Sequence, residues 1–183
     1  MTLLFIIKTL MITFNIKVAN RILGITAFNE STKRYCADFL TDEEPNYVIT
    51  MTEEDLENEA SNSSDGKVYV NEEISALYRK IADLLVEDNI VVFHSSAISV
   101  DGNGFLITAR SGVGKSTHAK NLSDYIGDSF KYINDDKPLL KVNDNDVIVF
   151  SSPWNGKENT ITSLSFTLSK GLSSLIYLKE SPI

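Results

Sequence analysis

The fold of this chain is decided by the stretch FLITARSGVGKST, residues 105–117. Its first part, Phe105 to Thr108, is apolar and rich in residues that favour a strand. A helix is predicted to follow from about Gly114 to Tyr125, because Gly127 is the residue type that commonly ends a helix. The order strand, glycine-rich loop and helix is typical of a loop that binds phosphate groups.

The glycine-rich loop has the residue types that phosphate binding requires. Gly112 and Gly114 allow backbone N–H groups to turn toward an anion, and the helix presents its positive end to that anion. Lys115 is predicted to face solvent and to reach the β- and γ-phosphates, while Ser116 is predicted to ligate Mg²⁺. Ala109 stands where the usual pattern has glycine, so a glycine-rich turn before an unrelated helix is the alternative. The candidate nucleotide-binding residues are Ser111, Gly112, Val113, Gly114, Lys115, Ser116 and Thr117.

Composition and charge limit the class of protein. The chain has 183 residues, a net charge of −8 and a pI of about 4.8, and this acidity argues against a nucleic-acid partner. A single cysteine, Cys36, excludes a disulfide framework and a cysteine-based zinc site, and it favours a cytoplasmic location. The apolar stretch Met1 to Phe14 is shorter than the roughly 20 residues that span a bilayer, so no membrane partner is expected.

The first half of the chain is predicted to be rich in strands. The runs Ile12 to Ile25 and Tyr47 to Met51 read as strands, because they are rich in β-branched and aromatic residues. Thr52 to Asp65 is acidic and then rich in serine and asparagine, which predicts a short helical turn and an exposed loop. An amphipathic helix of about 16 residues is predicted to start near Asn71. Its apolar positions are Ile74, Leu77, Ile81, Leu84 and Leu85.

The strand that leads into the loop is predicted to be half of an antiparallel hairpin. Ile90 to Phe93 and Ala97 to Val100 read as one strand, and the turn Asp101 to Gly104 joins it to Phe105. Parallel strands need a crossover of about a dozen residues or more. The turn is therefore too short for the all-parallel sheet of the common nucleoside triphosphatases.

The register of this hairpin predicts the position of a histidine. If Val100 pairs with Phe105, then His94 lies opposite Ser111, beside the phosphates. His94 and Ser96 share one face of the strand, because side chains alternate. A structural, hydrogen-bonded histidine is the alternative interpretation of His94.

An acidic pair follows the loop helix after one short strand. The strand Lys131 to Ile133 leads into Asn134-Asp135-Asp136, so Asp135 is predicted to meet the Mg²⁺ ion that Ser116 holds. One of Asp135 and Asp136 would orient the metal, and the other would accept the proton of an attacking hydroxyl. The sequence leaves open which carboxylate does which. A solvated turn before Lys137-Pro138 is the alternative.

The chain is predicted to contain two regions. Residues 1–89 form a strand-rich region with one amphipathic helix, and residues 90–183 form a phosphate-loop nucleotide-binding core. The fold class is predicted as α/β or α+β, with a mixed, largely antiparallel sheet around one phosphate-loop helix. The remaining predicted strands are Leu139 to Val142, Val147 to Phe150, Thr160 to Leu168 and Ser174 to Leu178.

Four segments together resemble the HPr serine kinase/phosphorylase family, which shares the phosphate-loop domain of ATP-dependent phosphoenolpyruvate carboxykinases. The resemblance implies a Mg²⁺–ATP-dependent phosphoryl transferase that acts on a serine or other hydroxyl of a protein or peptide. It also implies that His94 lies near the transferring phosphate, and that Lys157 reaches the site from a turn. The matching segments are Phe93 to Ile98, Ala109 to Thr117, Ile133 to Pro138 and Pro153 to Lys157, the last of which is similar to HPr-kinase-like proteins of uncertain substrate.

Two other functions stay open at this point. A carboxykinase-like enzyme of small metabolites would need further arginines, and the chain offers Arg21, Arg34, Arg79 and Arg110. The other is a non-catalytic nucleotide-binding module, because the relatives continue well beyond position 183. On that ground the resemblance predicts slow or absent turnover, and an open sheet edge that favours a homo-oligomer.

Overall fold

The computed structural model describes residues 11–61, 70–110, 112–156, 165–169 and 175–177. Contacts divide the chain into two compact units, Met1–Ile81 and Ala82–Ile183. The described residues contain four α-helices and three four-stranded sheets, in which most strand pairs are antiparallel. The predicted α+β class is thus confirmed, although the strands form three sheets instead of one. No α-helix among these residues combines the length and the apolar content that crossing a bilayer requires.

The first unit is built on an antiparallel hairpin. The predicted run Ile12 to Ile25 is two strands, because Ala19 and Asn20 adopt positive φ angles of 47° and 59° and form a two-residue turn. The elements are β1 Ile12–Val18, β2 Arg21–Ala27, α1 Glu30–Tyr35, β3 Leu40–Thr41, β4 Tyr47–Thr50, α2 Glu53–Ser61 and α3 Val70–Leu85, within which the division between the units falls. The sheet has the order β3-β1-β2-β4, and β2 and β4 are parallel.

A buried carboxylate of helix α3 holds the start of helix α1. The Glu73 side chain is fully buried and accepts hydrogen bonds from the backbone N–H groups of Phe28 and Asn29, at 2.5 and 3.1 Å. It also accepts from the Asn29 amide at 2.9 Å and from the Thr32 hydroxyl at 2.5 Å. These donors compensate for the cost of burying a polar group. Cys36, which directly follows helix α1, is also buried. Its burial raises the pKa of the thiol to about 12, so the thiol stays protonated.

Helix α2 is longer than the short helical turn that the sequence predicted. Thr52 and Asp55 form a reciprocal capping box: Asp55 Oδ2 accepts from Thr52 N at 2.8 Å, and Thr52 Oγ1 accepts from Asp55 N at 3.2 Å. Lys80 Nζ of helix α3 lies 2.5 Å from Asp55 Oδ2. The cap and this ion pair stabilise the helix start, which an acidic composition alone does not reveal. The predicted loop at positions 62–65 lies outside the described residues.

We expect Asp55→Asn to destabilise the protein at neutral pH by about 1 kcal/mol, the usual loss for a capping residue. Burial by itself raises the pKa of Asp55, but the hydrogen bonds from Lys80 and Thr52 more than offset this, and the net pKa is lowered. The carboxylate therefore contributes stability above its unfolded pKa, and this contribution is lost as the pH falls through its folded pKa. Urea unfolding from pH 7 to pH 2 should show wild type and variant converging at acid pH. A constant gap across that range would contradict the role of the charge.

The second unit has three layers. The elements are β5 Ile90–Val92, β6 Ser96–Val100, β7 Asn103–Thr108, α4 Lys115–Ile126, β8 Phe130–Asn134, β9 Leu139–Val142, β10 Asp146–Phe150, β11 Ser165–Ser169 and β12 Leu175–Tyr177. One sheet, of order β11-β10-β9-β5, packs on another, of order β12-β7-β6-β8, and helix α4 covers the opposite face of the second. Ala97, Leu106 and Val149 lie in the core between the sheets, while Ile98 and Ala119 lie in the core under the helix.

The prediction of one strand over Ile90 to Val100 is wrong. Strand β5 pairs with β9 in the first of these sheets, whereas β6 pairs with β7 and β8 in the second. Between them the backbone follows the segment after β8: Phe93 N donates to Pro138 O, and Ser95 N donates to Asp136 O. The chain therefore passes from one sheet to the other over Phe93 to Ser95, where its backbone is hydrogen-bonded to the segment Asp136 to Pro138.

The antiparallel hairpin before the phosphate loop is confirmed, but its register differs from the predicted one by two residues. Val100 pairs with Asn103, since Asp101 and Gly102 alone form the turn, with φ angles of 49° and 79°. Aspartate followed by glycine is a strong signal for such a two-residue turn. A shift of two residues preserves the face on which each side chain lies.

The topology of the second sheet brings three segments to one edge. Strands β7 and β8 are both antiparallel to β6, which lies between them, so they run in the same direction. Their carboxyl ends and the beginning of β6 therefore meet at the same edge. The phosphate loop follows β7, the acidic pair follows β8, and His94 precedes β6.

Candidate functional site

A cavity of about 660 Å³ opens at this edge of the sheet. Its wall combines the predicted phosphate loop with the predicted histidine and acidic pair. The lining residues are His94, Gly112, Gly114, Lys115, Ser116, Thr117, Lys120, Asp135, Asp136 and Gly156. Of the other predicted loop residues, Val113 is not among the lining residues, and Ser111 lies outside the described part of the chain.

The loop has the backbone conformation that its glycines allow. Gly112 and Gly114 have φ angles of 84° and 96°, which other residues rarely adopt. A Cβ atom at position 112 would meet nothing within 4 Å, so the requirement for glycine there is conformational. Gly114 is the N-cap of α4, and the first helical residues Lys115 and Ser116 line the cavity. The unpaired N–H groups of a helix start are suited to an anion.

Lys115 is buried, which corrects the prediction that it faces solvent. Lys115 is only 8% exposed, and its Nζ atom lies 3.1 Å from Nε2 of His94. Lys115 is covered because β6 and β7 are neighbours in the sheet, so His94, just before β6, lies beside the loop that follows β7. The ammonium group still lines the cavity, so a ligand there can reach it.

One nitrogen of His94 faces two groups of opposite charge. Besides Lys115 Nζ, the Nε2 atom lies 3.2 Å from Asp136 Oδ1. A ring nitrogen without a proton accepts a hydrogen bond from the lysine, whereas a protonated one donates to the carboxylate. Nε2 can therefore serve Lys115 or Asp136, but not both at once.

The two carboxylates of the acidic pair have different surroundings. Asp135 is buried, and its Oδ1 accepts a 2.7 Å hydrogen bond from the Ser96 hydroxyl. The Asp136 side chain is about one-third exposed, at 34%, and Lys137 Nζ lies 3.5 Å from its Oδ2. Asp135 is thus the more firmly held of the two, and Asp136 is the more accessible.

The sequence did not identify several residues that the structure brings to this site. Lys120 lies four residues after Ser116, so helical periodicity puts both on the cavity side of α4. Ser96 contacts Asp135, and its place on the histidine face of the hairpin was the available signal. Asn155 and Gly156 belong to the turn from which the resemblance implies that Lys157 reaches the site, although their spacing alone predicts only a turn and not their contact with the acidic pair.

The donor set at the cavity suits a cation that arrives with a phosphate ligand. Ser116 and Asp135, the predicted Mg²⁺ ligands, both line it. Within the described ranges, no group of three or more His, Cys, Asp or Glu side chains could hold a metal. Mg²⁺ ordinarily uses one or two carboxylates together with water and substrate phosphates. A hydroxyl and a carboxylate facing a phosphate loop fit that pattern.

The structure describes only one of two further candidate cations, Arg110 and Lys157. Arg110 is exposed and is not among the lining residues, and Lys157 falls outside the described residues. The candidate site is therefore defined by the described residues that line the cavity.

A scan of the chain against protein-family models and a search of curated proteins each found no match.

Proposed function

We propose that this chain binds Mg²⁺–ATP in the cavity and transfers the γ-phosphoryl group to a hydroxyl, such as a serine of a protein or peptide. The observation that carries the proposal is the convergence of a glycine-rich loop, a lysine and an acidic pair on one cavity. These are the parts that phosphoryl transfer requires, because its catalysis consists of positioning and charge stabilisation. The resemblance to the HPr kinase family agrees with this reading.

The loop side of the cavity would bind the phosphates. The helix start at Gly114 supplies N–H donors, and Lys115 supplies a positive charge from a position that is largely buried from solvent. An ammonium group interacts more strongly with phosphate where water is largely excluded. Lys120, exposed on the same wall, adds a second positive charge for the phosphate chain or the acceptor.

The acidic pair, together with Ser116 of the loop helix, would hold the metal and accept a proton. A bound Mg²⁺ ion would offset the negative charge of the phosphates, and Ser116 and Asp135 are the residues that would hold it. Asp136 is accessible and would accept the proton of the attacking hydroxyl. His94 would orient Asp136 through Nε2 once Lys115 contacts phosphate instead of the imidazole.

The lining of the cavity favours a hydroxyl acceptor over the small carboxylates of carboxykinases. Among the described residues, those that line it include lysines but no arginine, the side chain that best matches a carboxylate. A hydroxyl acceptor needs only the accessible base Asp136 and room beside it.

Calorimetry of ATP binding with and without Mg²⁺, followed by an assay of γ-phosphate release, tests this function. We expect the wild-type chain to bind ATP and to bind it more tightly with Mg²⁺. Ser116→Ala and Asp135→Asn should each reduce this gain by about 10-fold or more, the usual range for groups around a bound metal. Ser123→Ala, on the same helix but not on the cavity wall, and Asp128→Asn, an exposed aspartate, are the controls.

The two parts of the proposal can fail separately. Absence of ATP binding by the folded wild-type chain would refute the function itself. Binding that does not depend on Mg²⁺ would refute the metal assignment alone.

A further inference from the structure

A buried asparagine contacts the backbone of the acidic pair. Asn155 is only 5% exposed, although its side chain is polar. Its Oδ1 accepts the backbone N–H of Asp135 at 2.7 Å, across 20 residues of sequence. The neighbouring carbonyl of Trp154 accepts the N–H of Lys137 at 3.2 Å. The turn after strand β10 therefore holds the chain on both sides of Asp136.

A second asparagine completes the set of backbone contacts. Oδ1 of Asn134 accepts the N–H groups of Asp136 and Lys137, at 2.9 and 2.7 Å. Its Nδ2 donates to the carbonyl and hydroxyl oxygens of Ser152, at 3.2 and 3.1 Å. The Ser152 hydroxyl in turn donates to Lys137 O at 2.7 Å. Each backbone N–H from position 135 to position 137 thus meets an asparagine side chain.

The same turn lies against the carboxylates themselves. Gly156, which lines the cavity, has a φ angle of 63°, and a Cβ atom there would lie 3.4 Å from Asp135 Oδ2 and from Asp136 Cβ. On the other side, Ser96 donates to Asp135 Oδ1. The Asp135 side chain therefore lies between strand β6 and the turn, with little freedom to move.

We infer that Asn155 is a positioning residue for Asp135: it fixes the backbone from which that carboxylate reaches the cavity. The inference builds on the proposed function, in which Asp135 helps to hold Mg²⁺. A metal of strict octahedral geometry tolerates little displacement of a ligand, so the hydrogen bond at Asp135 N should matter for metal-dependent binding. It should matter little for the phosphate loop, which follows a different strand.

The matched variants are Asn155→Ala and Asn143→Ala. Asn143 is also a hydrogen-bonded asparagine of this unit: its Nδ2 donates to Asp146 Oδ1 at 2.6 Å in the β9–β10 turn, and it does not line the cavity. The readout is the ratio of the ATP dissociation constants in EDTA and in Mg²⁺. We expect Asn155→Ala to lower this ratio by about 10-fold, with little change in EDTA, and Asn143→Ala to leave it unchanged.

A double-mutant cycle separates positioning from a general loss of stability. If Asn155 acts through Asp135, then Asn155→Ala should change the Mg²⁺ ratio little further in an Asp135→Asn background. Should Asn155→Ala fail to fold, Asn155→Ser, which keeps a small polar side chain but shortens its reach toward Asp135 N, offers the milder test, and it too should lower the ratio. An unchanged ratio in a folded variant, while wild type shows Mg²⁺-dependent binding, would overturn the inference and leave the proposed function standing. Wild type without Mg²⁺-dependent ATP binding would overturn both.

Discussion

Replacing Lys115 with methionine should weaken ATP binding about 10- to 100-fold, the equivalent of one or two charge-assisted hydrogen bonds. Methionine keeps most of the volume of the buried lysine stem, so the loop and helix α4 should retain their packing. The lost interaction is that between the ammonium group and the phosphates, in a position only 8% exposed. Isothermal calorimetry with ATP and Mg²⁺ gives the dissociation constants.

Lys131→Met is the control for this variant, because Lys131 is an exposed lysine of strand β8 that does not line the cavity. It removes the same charge from the same unit, so general electrostatic effects should appear in both variants. Circular dichroism should show both proteins folded. Equal ATP affinity in Lys115→Met and wild type would refute the assignment of residues 109–117 as a phosphate loop.

The second large effect concerns stability. Glu73→Gln should reduce the free energy of unfolding by about 3 kcal/mol, because each buried donor left without an acceptor costs about 1–3 kcal/mol. Four donors from Phe28, Asn29 and Thr32 point at this carboxylate. A glutamine has one acceptor oxygen, and its NH₂ group would face donors that it cannot satisfy.

Urea unfolding at neutral pH, followed by circular dichroism, measures this loss. Glu57→Gln is the matched control, since Glu57 is exposed on helix α2 and should change stability by less than about 0.5 kcal/mol. A Glu73→Gln variant as stable as this control would show that the second acceptor oxygen of Glu73 contributes nothing net to stability.

Much of the second unit could be predicted because its signals are local. Helix α4, its terminal Gly127 and the β9–β10 hairpin follow from residues close together in sequence, and the structure confirms them. The division of Ile90 to Val100 between two sheets could not be predicted. It depends on backbone partners at Asp136 and Pro138, some 40 residues away, as the hydrogen bonds of Phe93 and Ser95 show.

The candidate site, too, could be predicted from the sequence only in part. The loop, His94 and the acidic pair carry recognisable residue types, and strand direction brings them to one cavity. Asn134 and Asn155 act through backbone N–H groups, which every residue except proline possesses, so no pattern in the sequence marks their partners. Long-range contacts of this kind become visible only when the fold is known.

The two-residue turn between β6 and β7 fixes the register of this hairpin, so a change in the length of strand β6 moves Ser96 at the opposite end of the strand. Inserting one residue between Ser96 and Ala97 would turn the serine hydroxyl away from Asp135 and into the layer that Ala97 and Leu106 fill. Inserting two would restore its direction and move it outward by one repeat of the pleat, about 7 Å. In homologous chains, tolerated insertions and deletions within this strand should therefore come in even numbers.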